Sequence, residues 1–446
     1  MHVGSNSFTW LLQVGHTYVL NNKGEPQLIK KTLSNGLRIV AEQIPTYRSV
    51  SLGIWIKNGS RNESLANNGI SHFIEHMLFK GTDRYSAKQI AEIFDGIGGN
   101  VNAFTAKEYT CYYAKVLDTH LPIAVDVLSD MFFNSKFDQE EMDKERNVIL
   151  EEISMYDDTP DDLVHDLMAK AAYSDHALAF SILGTEPNLQ AIQPDTLRDY
   201  MKDHYTIANT VIALAGNIDD SVFELLERSF GAFRNTGTDI GVTAPVYSGN
   251  MLFHSKKTEQ NHICLSLPGL SSTDPLLYPM VLLNNLIGGG MSSYLFQEIR
   301  EKRGLAYSVY SYHSAHMDSG LFTIYMGTAP KQTEEVLRVT MEVLQGVAEH
   351  GLSEEELRKG KEQLKGSFIL SLESTSSRMN RLGKNELMLG VHHSLDEILN
   401  MIDTVSQEHI RQLVNRLFAE PFSVAMVGKS DKAVQSFRRD SLVIRS

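Results

Sequence analysis

Two hydrophobic periods alternate along the chain. Apolar residues fall at every second position across 36–42 and 50–56, which predicts strands. A turn at 58–63 leads into an apolar stretch at 69–81 that repeats with the period of a helix. A second helix is expected over 87–97, opened by Ser86 as its cap and stopped at Gly98-Gly99. Then come a strand at 109–116, helices at 121–133 and 138–172, a strand at 210–216 and a helix at 220–233. Residues 234–250 are rich in Gly, Thr and Ser and carry no period, so they read as a linker.

The pattern then starts again. Strands at 251–254 and 262–267 precede a helix at 275–287, a hairpin across 304–328, long helices at 331–350 and 353–389, a helix at 395–418 and a strand at 422–428. Both halves close alike, with 211–220 resembling 422–431. These features imply two tandem, related α+β domains, 29–233 and 251–446, each an antiparallel sheet covered by helices. Residues 1–28 read as an extension outside the core: the first basic residue is Lys23, and no secretory or mitochondrial leader pattern is present.

The helix at 69–81 contains His72-Phe73-Ile74-Glu75-His76. Two histidines four apart on a helix share a face, so both imidazoles can reach one metal ion. Glu75 projects beside them and can act on a metal-bound water. This H-x-x-E-H order is the inverted zinc-hydrolase motif. Its neighbours Phe73, Ile74, Met77, Leu78 and Phe79 make the helix mostly buried, and buried His and Glu need partners.

A third ligand is expected from the 138–156 helix, where Glu151 and Glu152 compete. Glu152 belongs to the stripe Met142, Glu145, Ile149, Glu152, Tyr156 and is flanked by Val148 and Met155. Glu151 points about 100° away. Glu152 is therefore the ligand candidate, and Glu145, two turns earlier on the same face, is placed to support a ligand histidine.

Composition narrows the function. The net charge of −14 argues against nucleic acid and anionic membranes and suits cationic substrates. No apolar run is long enough to span a bilayer. Cys111 and Cys264 lie far apart, which fits a reducing compartment, and a cytoplasmic location is expected.

From about Lys31 to about Gly428 the chain resembles the M16 family of zinc peptidases, the pitrilysin, insulinase and mitochondrial processing peptidase group. It is most similar to the short bacterial members. In that family the H-x-x-E-H pair and a glutamate about 75 residues later bind zinc; here about 75 residues separate His76 from Glu152. The resemblance implies one zinc per chain, held by the first of two similar domains that enclose a peptide-binding cavity. The family's supporting glutamate falls on Glu145. The segment 298–307 resembles the one from which an arginine and a tyrosine reach the active site, here Arg300 and Tyr307, with Arg303 as the competing arginine. Asn102, Ala103, Phe104 and Thr105 resemble the family's edge strand that pairs with substrate backbone. Gly288, Gly289 and Gly290 form a glycine-rich loop; the mitochondrial enzyme divides this loop and the zinc site between two subunits, whereas this chain carries both, so a homodimer is expected. Asp162 and Asp166, four apart, match acidic positions that read a substrate arginine. The expected function is a zinc metalloendopeptidase acting on peptides or unfolded segments. The alternatives are a catalytically silent partner subunit and a chaperone-like peptide binder.

Overall fold

The computed structural model describes residues 18–20, 26–237, 241–432 and 435. The first half contributes strands β1 (Tyr18–Leu20), β2 (Gln27–Thr32), β3 (Arg38–Gln43), β4 (Ser49–Ile56), β5 (Asn100–Thr105), β6 (Thr110–Leu117) and β7 (Thr210–Gly216). Its helices are α1 (Ile70–Leu78), α2 (Ala87–Gly96), α3 (Leu121–Asn134), α4 (Gln139–Asp157), α5 (Pro160–Tyr173), α6 (Glu186–Ala191), α7 (Pro194–His204) and α8 (Ser221–Phe230). The second half contributes β8 (Met251–Ser255), β9 (Asn261–Pro268), β10 (Ala306–Ala315), β11 (Gly320–Thr328) and β12 (Ser423–Gly428). Its helices are α9 (Leu277–Gly288), α10 (Thr333–His350), α11 (Glu354–Ser371), α12 (Thr375–Met388), α13 (Leu395–Asp403) and α14 (Gln407–Leu417).

The sheet orders are β1-β2-β3-β7-β4-β6-β5 and β10-β11-β9-β12-β8. Read from the opposite edge, the second sheet repeats the last five strands of the first. In each, the closing strand pairs in parallel with an opening one, β7 with β3 and β12 with β8. The other pairs are antiparallel, so each sheet is mixed by one parallel ladder. The resemblance between 211–220 and 422–431 therefore marks equivalent central strands. β1 pairs with β2 through Tyr18–Lys30, so the sheet begins inside the stretch assigned to the extension; residues 1–17 and 21–25 of that stretch lie outside the described residues.

The central strands of each sheet are buried on both faces. On β7, Ile212 and Leu214 face a core built with α1 and α3, through Phe73, Ile74, Met77, Val125 and Leu128. Val211, Ala213 and Ala215 face the other way. That second face is covered by α12, from the other half, whose Met379, Leu382 and Leu387 pack on Val40, Trp55 and Cys111. The exchange is reciprocal. Helix α5, from the first half, lays Val164, Met168 and Ala171 on Cys264, Tyr325, Ala425 and Val427 of the second sheet. Close approach of α12 depends on Gly383, where an added Cβ would fall 2.2 Å from the Trp55 ring nitrogen. Buried Glu42 anchors the same helix, bonding Arg378 at 2.9 Å and Arg381 at 2.6 Å. Hydrophobic periodicity carries no sign of which sheet a helix will cover.

Three expected helices are each two. The 138–172 stretch breaks between Asp157 and Pro160. Proline lacks the N–H that would continue a helix and suits its first turn instead. The 353–389 stretch breaks between Ser371 and Thr375, and the 395–418 stretch between Asp403 and Gln407; Ser374 and Ser406 cap the helices that follow, accepting from Ser377 N and His409 N.

Candidate metal centre

Helix α1 packs on α4, and between them three ligand atoms converge. His72 Nε2 and His76 Nε2 stand 3.2 Å apart. Glu152 Oε2 lies 3.8 Å from the first and 3.6 Å from the second. Ligands bound tetrahedrally at about 2.0–2.1 Å stand about 3.4 Å from one another, so these residues fit one zinc-sized ion. Of the two adjacent glutamates, Glu151 is exposed and Glu152 turns toward the histidines. The flanking Val148 and Met155 are exposed rather than buried, so the face is defined by Met142, Glu145 and Ile149 beneath it.

His76 is oriented by Glu145, whose Oε1 lies 2.8 Å from His76 Nδ1, while its Oε2 accepts from Lys80 at 2.5 Å. The buried Glu145 thus fixes the tautomer that leaves His76 Nε2 toward the ion site. Burial first, and the neighbouring His76 second, pull His72 down to about 3, so it is a neutral imidazole with a free lone pair. For His76, burial opposes protonation, but the Glu145 hydrogen bond and the charges of Glu152, Glu145 and Glu75 raise its affinity for a proton.

Glu75 is on the same helix, and its Oε2 accepts from the Thr105 hydroxyl at 2.6 Å. Burial raises its pKa above the usual carboxylate value, with Glu152 adding to the rise and the Thr105 hydrogen bond opposing it. Thr105 ends β5, the strand at the edge of the first sheet. Within that strand Asn102 is exposed, and its Oδ1 accepts from Ala103 N–H at 2.8 Å. Phe104 packs edge-on against Trp55, with centroids 5.7 Å apart, so its side chain is part of the core under α12.

Among the described residues the remaining candidates make no hydrogen bond or ion pair to the trio. Asp166 lines a cavity of about 580 Å³ together with Tyr156, Lys170 and Phe180, whereas Asp162 is exposed and does not line it. The Tyr156 hydroxyl donates to the Asp162 carbonyl at 3.0 Å. Arg300 sits in a π-helical turn, Phe296–Glu301, with its guanidinium 4.8 Å from the Phe296 ring and 4.9 Å from the Tyr307 ring. Tyr307 is exposed, and among the described residues neither it nor Arg300 hydrogen-bonds His72, His76, Glu152 or Glu75. Arg303 is engaged elsewhere, donating to the Glu298 carbonyl at 2.8 Å and paired with its carboxylate. Gly288 closes α9 against β10, where a Cβ would meet Ser311 N at 2.4 Å; Gly289 caps the helix and Gly290 has open space around it.

Residues 38–186 match the family profile Insulinase (Peptidase family M16), and residues 191–364 match the Peptidase M16 inactive domain. A protein of Bacillus subtilis named Uncharacterized zinc protease YmxG is 52% identical over 404 residues, 90% of this chain and 99% of that one. The chain belongs to peptidase family M16.

Another M16 relative, from Streptomyces coelicolor and named Uncharacterized zinc protease SCO5738, is 44% identical over 92% of both chains. The crystal structure of a protease from Helicobacter pylori superposes with a TM-score of 0.84 at 22% identity, covering 91% of this chain and all of that one, a likeness of fold. The M16 match over 38–186 contains His72, Glu75, His76 and Glu152.

Three supporting contacts of this M16 chain escape sequence reasoning, although Thr105 itself was expected on the substrate-pairing edge. Glu63 is buried and caps α1, accepting from Gly69 N at 2.8 Å and Ser71 N at 2.9 Å. Lys80 neutralises Glu145, and Thr105 holds Glu75. Only Lys80 had a readable signal, lying four residues beyond His76 in the stretch read as helix, although α1 itself ends at Leu78.

Proposed function

We propose that the chain is a zinc-dependent metalloendopeptidase, holding one zinc on His72, His76 and Glu152. What supports this most is the convergence of those three ligand atoms with Glu75 beside them, fixed by Thr105. When bound, zinc polarises a peptide carbonyl and makes water acidic enough to be deprotonated near neutral pH. Glu75 takes the proton from water and returns it to the departing amine. Its raised pKa makes it a stronger base toward the water than an ordinary carboxylate. Glu145, charge-balanced by Lys80, keeps His76 oriented.

Substrate main chain adds to the open edge of β5 at Asn102–Thr105, a mode that tolerates many sequences. Asp162 and Asp166 favour a basic residue near the scissile bond, with Asp166 in the cavity and Asp162 at the surface. Arg300 and Tyr307 act from the second half on the substrate carbonyl. Peptides or unfolded segments are the substrates, and a homodimer is the working form. Among the described residues no helix is long and apolar enough to cross a membrane. The two buried, unpaired cysteines support a cytoplasmic setting.

The deciding experiment digests a peptide library with purified protein, with and without chelator, beside Glu75→Gln. Chelator-sensitive cleavage absent from Glu75→Gln is expected. A metal-loaded protein that cleaves nothing would instead favour a silent subunit or a peptide-binding chaperone.

A further inference from the structure

The halves also meet at a buried charge cluster away from the metal centre. Arg61 lies in the 3₁₀ turn Ser60–Asn62, its side chain only 1% exposed. Its Nη1 donates to Glu108 Oε1 at 2.6 Å. Its Nη2 donates to Asp318 Oδ2 at 2.5 Å and to the Thr243 carbonyl at 2.7 Å. Asp318 is in the turn between β10 and β11, and Thr243 is in the segment joining the halves. Glu108 also accepts the Met317 N–H at 3.2 Å and lies 3.5 Å from His316 Nδ1. One guanidinium and one carboxylate therefore clasp the β10–β11 turn to the first half.

Both ends of this clasp lead to the metal centre within a few residues. Two residues after Arg61, the buried Glu63 accepts from Gly69 N, Ser71 N and, at 2.8 Å, Asn68 Nδ2. The Gly69 and Ser71 amides are open backbone donors at the start of α1, which carries His72 and His76. Three residues before Glu108, Thr105 holds Glu75. The two strands of the clasp are tied together as well. Arg61 N–H donates to the Lys107 carbonyl at 2.8 Å, and at Gly59 a Cβ would fall 2.2 Å from the Ala106 carbonyl oxygen.

We propose that the second half steadies the metal-binding helix through Arg61, with Asp318 as a positioning residue that acts along the segment from Arg61 to Glu63. This is separate from any contact of Arg300 or Tyr307 with substrate. Its catalytic meaning rests on the metallopeptidase reading; the mechanical coupling does not. Arginine is suited to the position because its planar fork reaches two carboxylates and a carbonyl at once, which a lysine ammonium cannot do in the same geometry.

The test uses the full chain. Hydrogen exchange of the amides from Gly69 to Phe73 is measured in metal-free protein for wild type, Asp318→Asn and Asp318→Glu, and zinc affinity is measured by competition with a chelating dye. Asp318→Asn is expected to speed exchange at those amides and weaken zinc binding, each by roughly 3- to 30-fold. Exchange in β7 should stay unchanged, and Asp318→Glu should restore most of the loss. In a Glu63→Gln background the added Asp318→Asn should have little further effect, because the link is already cut. Faster exchange confined to 316–319 overturns the proposal. So does an equal increase throughout α3 and β7, which would mean general destabilisation, or full additivity with Glu63→Gln. A wild type that binds no zinc would reject the metallopeptidase reading, while the exchange comparison would still decide the coupling.

Discussion

Glu151 and Glu152 are neighbours in sequence and opposites in setting. Glu152→Gln is expected to lose bound metal and Glu151→Gln to retain it, as read by metal analysis after gel filtration. Glu75→Gln should keep its metal and lose about 10²- to 10⁴-fold in kcat. If Glu75 is the base, it works only when ionised, so the acid limb of kcat/KM should report its titration. Thr105→Val removes a hydrogen bond that stabilises the charged form, so that limb should move to higher pH; a limb that stays or moves lower would separate Thr105 from the base. The two histidines and Glu152 were legible because helix geometry converts spacing into a shared face. Thr105 and Glu63 were not, because their partners are 30 and 6 to 8 residues away through turns that no periodicity reports.

At the scale of elements, strands were read closely and helix ends less well. β7 falls where a short continuous apolar run with β-branched Val211 and Ile212 puts it, at Thr210–Gly216. The break before Pro160 was missed because apolar spacing continues across it from α4 into α5. Beyond that break, in α5, Asp166 lines the cavity while Asp162 stays at the surface. Peptides with Arg in place of Gln near the scissile bond should have kcat/KM higher by about ten- to a hundredfold, a charge-assisted pair being worth roughly 1.5–3 kcal/mol. Asp166→Asn should erase more of this preference than Asp162→Asn. Equal rates for the two peptides in wild type would remove the acidic residues from substrate recognition.

For the molecule as a whole, repetition was legible and exchange was not. Two similar halves follow from the two similar closing strands, but only packing reveals that α12 covers the first sheet and α5 the second. Gly383→Ala should therefore destabilise the protein as a unit by about 1–3 kcal/mol, since the Trp55 ring must shift to admit the methyl group. Calorimetry should show that loss in one cooperative transition. Residues 1–240 produced alone should be poorly soluble, with Trp55, Val211 and Ala213 uncovered, and production together with 241–446 should restore a soluble complex. A well-behaved isolated first half would mean that α12 is dispensable to it.

The exchange of helices also sets a timetable for synthesis. On the ribosome the first sheet has all its strands once Gly216 has emerged, but the helix that covers one face ends at Met388. Roughly 170 residues separate the two, about 10–30 s of translation at ordinary speeds. Through that interval the nascent chain carries an open apolar sheet face, and α5 waits still longer, for β12, before its own surface closes. The net charge of −14 gives the partly made chain some protection through self-repulsion, but the uncovered apolar face is open to aggregation until it is covered. The same architecture that locks the finished halves together thus leaves the newborn first half exposed until the second arrives.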